Sequence, residues 1–329
     1  MRIKNSEFKI KNSKLNIIAL ALLFSTSACF TGVESTPRIN ADEVRRQRAS
    51  GTAAEALFLS DIAPQAPATW AAGKPFLVMN DRISLIFTPA SDNSDGLKGH
   101  TIYFDRFTPA VSLMGEDTSE AVFTADDGRR LYYRIAGLNA GRLDTLSVLP
   151  VPFTVDPALV ARADSAMRGE RYFVRTPMWY TPDTRTSTEG LRHVEILVDS
   201  VVPGDENFPA AVYFTVADLA LRAKACHDGR NRMVLMSFGT SRSATRNFDV
   251  LFSFTDPRKQ YPSISDDVWE YIIASKVRAG MTRDECRLAL GAPTSLERIP
   301  TTAGMAERWR YSDGVYLLFE DGFLTRFRL

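Results

Sequence analysis

From Trp70 onward, apolar and polar positions alternate with the period of two expected of half-buried strands. Residues 73–79, 82–87, 98–104, 121–124 and 130–136 predict strands, and Asp126-Asp127-Gly128 predicts a hairpin turn between the last two. The layout then recurs. Gly169-Glu170-Arg171-Tyr172-Phe173-Val174 parallels Gly73-Lys74-Pro75-Phe76-Leu77-Val78, and the two starting glycines lie 96 residues apart. Ala211-Val212-Tyr213-Phe214-Thr215 parallels Ala121-Val122-Phe123-Thr124, and His227-Asp228-Gly229-Arg230 parallels Asp126-Asp127-Gly128-Arg129. Between the copies, residues 156–168 place Leu159, Val160, Ala163 and Met167 at helical spacing. Beyond residue 257 the period is helical again. Ser265 stands as N-cap before a helix with Val268, Trp269, Ile272 and Ile273 on one face. Thr282-Arg283-Asp284-Glu285 has the spacing of a capping box, and Gly291 followed by Pro293 ends that second helix. Strands are expected at 307–312, 315–319 and 324–328, the last two joined across Glu320-Asp321-Gly322. The pattern is α+β: two tandem small antiparallel β-modules, then a two-helix domain with a three-stranded antiparallel sheet.

The N-terminus changes this picture from a fold to an address. Arg2, Lys4, Lys9, Lys11 and Lys14 precede a short apolar run at 15–24, and Ser25-Thr26-Ser27-Ala28-Cys29 follows it. A basic segment, a short apolar core and small residues form a secretory signal, too short to span a bilayer. A cysteine directly after Ser27-Ala28 resembles the lipobox of bacterial lipoproteins, which implies cleavage before Cys29 and its acylation. The expected division is therefore signal peptide 1–28, tether 29–68, first β-module 69–148, linker helix and second β-module 149–256, and C-terminal α+β domain 262–329. The tether reading rests on Gly32, Ser35, Pro37 and the stiff Ala63-Pro64-Gln65-Ala66-Pro67, with a polar helical turn at 42–48. The whole chain of 329 residues carries a formal charge of +1. Cleavage removes five basic residues and one acidic one, leaving −3, which argues against nucleic acid as a partner.

The last domain also carries a family signature. Gly280-Met281-Thr282 with Leu290-Gly291-Ala292-Pro293, then Trp309-Arg310-Tyr311 and Phe319-Glu320-Asp321-Gly322-Phe323-Leu324, resemble the GMT…LGxP, W-x-Y and F-x-x-G-x-L motifs of the SmpA/OmlA (BamE-like) outer-membrane lipoprotein family. The resemblance covers residues 262–329. It implies two helices on a three-stranded sheet, a lipid anchor in the outer membrane facing the periplasm, and a non-enzymatic role beside the machinery that inserts β-barrel proteins. The motifs themselves are structural, so no partner-binding residue carries over.

Residues able to do chemistry are few. Cys226-His227-Asp228 sits where a turn is expected, and neighbours in sequence point apart rather than forming a nucleophile and its base. His100 and His193 hold equivalent places beside strands, each expected to be half-exposed. Cys286 has the register of the buried helix face, and Cys226 falls in another module, so no disulfide is expected. The carboxylates Asp92, Asp95, Glu116, Asp117, Glu120, Asp126 and Asp127 are expected in loops. Phe107, Phe123, Tyr132, Tyr133, Tyr172, Trp179, Tyr180 and Tyr213 are expected mainly in the core. There is no HExxH, GxSxG or glycine-rich phosphate loop. No catalytic residue, metal site or cofactor is expected, and Cys29 is the one modification site. The leading expectation is an envelope lipoprotein that binds proteins. The alternative is a glycan- or peptidoglycan-binding lipoprotein that uses its β-modules. Uncharged Phe30-Thr31-Gly32-Val33 after the lipid cysteine favours the periplasmic side.

Overall fold

A computed structural model describes residues 53–111, 117–135, 140–239, 246–301 and 304–329. The signal segment, Cys29, the polar turn at 42–48 and Glu116 lie outside the described residues. Within the stretch expected as a tether, α1 (Ala53–Asp61) is helical. Its Phe58 ring lies 4.8 Å from Phe248 and 5.4 Å from Phe254, and Ile62 just beyond it is buried. That part of the tether reading is corrected: apolar side chains among the alanines fasten this end to the folded core.

The first sheet holds β1 (Lys74–Val78), β2 (Thr101–Val111), β3 (Asp117–Ala125), β4 (Arg130–Ile135) and β5 (Thr154–Val155), in the order β4-β3-β2-β1-β5. Every pairing is antiparallel. Alternation puts Phe76, Ile102, Phe104, Phe123 and Leu131 on one face, where they bury one another beneath Trp70. The expected turn forms: Gly128, at φ 90°, donates its N–H to the Ala125 carbonyl at 2.9 Å. Of residues 82–87, expected as a strand, 82–86 are instead part of a 3₁₀ turn, Asp81–Ile86, and only Phe87 is extended. The Asn80 side chain accepts from Arg82 N–H and starts that turn, burying Ile83 while leaving Leu85 exposed. An i, i+2 apolar pattern misleads there because Leu85, between core-facing Ile83 and Phe87, is turned to solvent.

The linker helix is present as α2 (Pro157–Met167), with Asp156 accepting from Ala158 and Leu159 N–H. Leu159, Val160, Ala163 and Met167 are its buried residues, as the spacing predicts. Asp156 also meets the buried ammonium of Lys74 on β1, fixing the helix start to the first sheet.

The second sheet contains β6 (Arg171–Val174), β7 (Met178–Tyr180), β8 (Ser187–Glu189), β9 (Val194–Pro203), β10 (Ala210–Val216), β11 (Arg232–Met236) and β12 (Phe252–Ser253). Its order is β12-β6-β9-β10-β11-β7-β8. Reading β6, β9, β10, β11 and β12 for β1 to β5 gives the order of the first sheet. Finer features coincide as well. The register skips Asp105 in β2 and Asp199 in β9, one bulge in the central pair of each sheet. Phe87 bridges to Tyr133 outside β4, and Tyr180 bridges to Met233 outside β11, each followed by Thr-Pro. Gly229 closes its turn on the Cys226 carbonyl at 2.9 Å, as Gly128 does on Ala125. The second sheet differs by β8 and by α3 (Leu219–Ala225), which stands between β10 and that turn. After β12, Asp256 caps the short helix Pro257–Gln260, as Asp156 caps α2 after β5.

One contact in this sheet leaves no slack. The indole of Trp179 is fully buried against the backbone of Gly190, where an added Cβ would lie 2.0 Å from Trp179 Cδ2. Gly190→Ala is therefore expected to cost about 1–3 kcal/mol through forced repacking, read as a lower midpoint in chemical denaturation. An unchanged midpoint would show that this packing yields freely.

The C-terminal domain has α4 (Asp266–Ile273) and α5 (Arg283–Leu290) on a sheet ordered β13 (Ser295–Thr301), β14 (Gly304–Arg310), β15 (Tyr316–Glu320), β16 (Phe323–Arg328). The sheet has four strands rather than the expected three. β13 escapes a period-two reading because Glu297, Arg298 and Pro300 interrupt its apolar positions; Pro300 is tolerated because β13 is an edge strand. The Thr282 and Glu285 capping box is complete, and Gly291 ends α5 at φ 86°. Ser265 occupies the N-cap of α4, but its hydroxyl bonds the Asp267 carboxylate and caps no backbone amide. Trp269, Trp309, Phe319 and Leu324 form this domain's core. Ile273, expected with them, belongs to the core of the second sheet.

Candidate functional site

Two surfaces collect residues able to act on something outside the fold. The first lies at the mouth of the β3–β4 hairpin. His100, at the entry to β2, meets the turn residue Asp126, with Nδ1 2.6 Å from Oδ1. Asp126 also accepts from Thr101 N–H, and these bonds hold its carboxyl below the usual range, the Thr101 bond contributing most. Asp127 stands close by, and donor atoms of His100, Asp126 and Asp127 all lie within 4.8 Å of one another. Asp127, however, is gripped by Arg129: its Oδ2 takes the guanidinium at 2.6 Å and its Oδ1 the backbone N–H at 3.1 Å. A guanidinium fixed on one of three donors opposes a second cation, so the cluster reads as a lock on the hairpin. The sequence pattern missed this grouping, because the two aspartates were expected as turn residues and His100 as a strand residue. Pairing of Ile102 with Ala125 is what joins them.

The histidine of the second sheet does not hold the place of His100, contrary to expectation. Leu77 pairs with Thr101 and Phe173 with Glu195, so His100 matches Val194, and His193 matches Gly99, each of these last two donating its N–H to the last residue of the preceding strand. His193 sits at φ 56° and is half-buried, its ring turned to Leu288 and Trp269 of the C-terminal helices. Its Nε2–H donates to the Leu288 carbonyl at 3.0 Å, and Nδ1 is buried without a partner. Burial pushes its pKa down to about 4, aided by the charges of Arg192 and Arg175. Arg192 donates its N–H to the Ile273 carbonyl at 2.9 Å and its Nε to Ser275 Oγ at 3.1 Å. These residues attach the C-terminal helices to the second sheet.

The remaining candidates are structural. Cys226 and Cys286 are free and buried, and burial raises both thiols, Cys286 to about 12. Asp228, in the turn after Cys226, pairs with Arg232 at 2.9 Å. Glu120 lies on β3 rather than in a loop and binds Arg134 at 2.7 Å. Phe123, Tyr172 and Trp179 are core residues, whereas Phe107, Tyr132, Tyr133, Tyr180 and Tyr213 are half-buried.

The second surface is the side of the C-terminal sheet turned away from its helices. Cross-strand partners share a face, and the register sets two rungs there. Arg308, Leu318 and Arg326 form one, and Arg310, Tyr316 and Arg328 the other. Two columns of arginine thus flank an apolar column. Neighbouring rungs lie about 6.8 Å apart along a strand, and the columns about 9.6 Å apart across two. Arg308, Arg310, Val315, Tyr316, Leu318 and Arg326 line a cavity of about 420 Å³. On one side Glu297 serves both Arg308, at 3.6 Å, and Arg310, at 3.3 Å. Arg326 and Arg328 are exposed and meet no acidic group among the described residues.

The reverse side of the sheet explains why this face is left open. Trp309 is fully buried there, its ring 4.7 Å from Phe319 and 5.0 Å beneath the Arg287 guanidinium. Glu307, 8% exposed, accepts from Trp309 Nε1 and pairs with Arg283 at 3.1 Å. Side chains alternate across the strand, so burying Trp309 presents Arg308 and Arg310 to solvent. The signal was present as Arg308-Trp309-Arg310 and Arg326-Phe327-Arg328, but only the register shows that the two motifs face the same way.

No known protein family, curated protein or solved structure matches the chain. Among the described residues, no helix is long and apolar enough to cross a membrane.

Proposed function

We propose that this chain is a non-enzymatic lipoprotein of the bacterial cell envelope that binds other proteins through its C-terminal domain. The observation that carries this reading is the pair of arginine columns on an uncovered sheet face. Four guanidinium groups around Tyr316 and Leu318 offer charge and apolar contact together, the combination enriched at protein interfaces. The BamE-like motifs at 280–293 and 309–324 support an outer-membrane setting, with partners among envelope proteins including those that assemble outer-membrane barrels. The two sheets are read as tandem copies, supported by their common strand order, their bulges at Asp105 and Asp199, and their Asp-Pro exits.

Anchoring is tested separately from docking. Lipidation at Cys29 would place the chain in the outer-membrane fraction, facing the periplasm. Cys29→Ser is expected to move it to the soluble periplasmic fraction, because the acyl chains then have no attachment point. Unchanged membrane fractionation of that variant would overturn the anchor. For docking, the mature chain is crosslinked in intact envelopes and its partners identified. Recovery of barrel-assembly subunits agrees with the proposal, and retention on peptidoglycan with no protein partner contradicts it.

A further inference from the structure

We infer that the arginine face and the outer edge of β16 together receive an extended segment of a partner protein, acidic at alternate positions and apolar between them. This rests on the reading of the C-terminal domain as a docking module and names what it takes. Three observations converge on it. The first is the free edge. The segment before α5 pairs with the start of β16: Gly280 N–H bonds the Leu324 carbonyl at 2.8 Å, and Leu324 N–H the Met281 carbonyl at 2.7 Å. Beyond Leu324, no described strand pairs with that edge. Its backbone groups can therefore accept one more strand, as in recognition by strand addition.

The second is spacing. Arg326 and Arg328 are two residues apart, so their guanidinium groups repeat at about 6.8 Å, the same repeat that carboxylates at i and i+2 of an added strand would have. Opposite charges on adjacent strands attract. Arg308 and Arg310 continue the field behind them, with Glu297 as their only described acidic partner on this face. The third is the other side of the same edge. Phe327 lies between the two arginines, pairs with Leu317 and is 39% exposed. An added strand would cover it with the side chains that alternate with its acids. A basic face above and an exposed ring below specify an amphipathic strand.

The test uses the purified full chain and a labelled peptide of about ten residues alternating Glu and Val, followed by fluorescence anisotropy. Saturable binding is expected, weakening as salt rises from about 0.05 to about 0.5 M. Arg326→Glu combined with Arg328→Glu should lower affinity about tenfold or more, since two attractions become repulsions. Both residues are exposed, so circular dichroism should show an unchanged fold. Methylating the backbone nitrogens of one edge of the peptide should also abolish binding, because that removes the donors a new strand needs. Equal binding of a Lys-Val peptide, or indifference to the arginine reversal or to methylation, would overturn the inference. Binding of anionic phospholipid vesicles but not of the peptide would overturn it in favour of a membrane surface. If the peptide fails while envelope crosslinking through the C-terminal domain persists, the strand-addition proposal falls and the docking reading stands.

Discussion

Trp309→Ala is expected to unfold the C-terminal domain while the two β-sheets stay resistant to protease. The indole is fully buried between Phe319 on the neighbouring strand and the helices that carry Trp269 and Arg287. Truncating a buried tryptophan costs about 3–5 kcal/mol, against a total of about 5–15 kcal/mol for a typical domain. Trp309 also donates to Glu307, so the variant leaves a buried carboxylate with one bond fewer beside Arg283. Limited proteolysis should cut within 262–329 and spare 70–255. The first two sheets keep cores of their own, built on Phe76, Phe104 and Phe123 in one and on Trp179, Phe214 and Phe252 in the other. A Trp309→Ala protein that melts like the parent would show that the buried face has been assigned to the wrong side, and the arginine face with it.

Acid is expected to destabilise the attachment of the C-terminal domain between about pH 6.5 and pH 4. Folded, His193 titrates near 4 because burial disfavours its charged form; unfolded, it returns to about 6.5. Above pH 6.5 both states hold a neutral imidazole and the stability is fully present. As pH falls through 6.5 the unfolded chain takes up a proton that the folded chain refuses, so stability is lost progressively until about pH 4. The gap corresponds to about 3 kcal/mol. Asp126, Asp228 and Asp267, held below the usual carboxylate range, lose their contributions at lower pH still, so the two effects separate. Chemical denaturation at pH 7 and pH 4.5 measures the loss. His193→Asn tolerates the positive φ and cannot titrate, so its stability should change markedly less over that interval. An equal loss in parent and variant would show that His193 is not what acid acts on.

What could be read from the sequence was mostly local. The Thr282–Glu285 capping box, the Gly128 and Gly229 turns and the buried face of α2 depend on residues within a few positions of one another, where dihedral preference and spacing decide the outcome. The 3₁₀ turn at Asp81–Ile86 was not legible as such: Ile83, Leu85 and Phe87 satisfy a strand period, and the Asn80 side chain overrides it. β13 was hidden for the converse reason, since Glu297 and Arg298 pair with groups on β14 rather than obeying alternation. The candidate site was half legible. That the far side of the C-terminal sheet is open follows from Trp309 being buried. That Arg308, Arg310, Arg326 and Arg328 stand on that side together requires the register of three strands and a bulge near Leu318, which no local pattern encodes. The surroundings of His193 are likewise tertiary: its ring meets the Leu288 carbonyl and Trp269, both far along the chain, and the register places it opposite Gly99 of the first sheet rather than His100.

The most direct measurement of docking through the C-terminal face compares the parent chain with the Arg326→Glu, Arg328→Glu variant by crosslinking in intact envelopes. Both chains should fractionate alike and fold alike. The parent is expected to capture a defined set of envelope proteins that the variant loses, while a charge reversal at exposed Arg168, on the linker between the sheets, leaves that set unchanged. The same proteins captured equally by the parent and the double variant would contradict docking through this face.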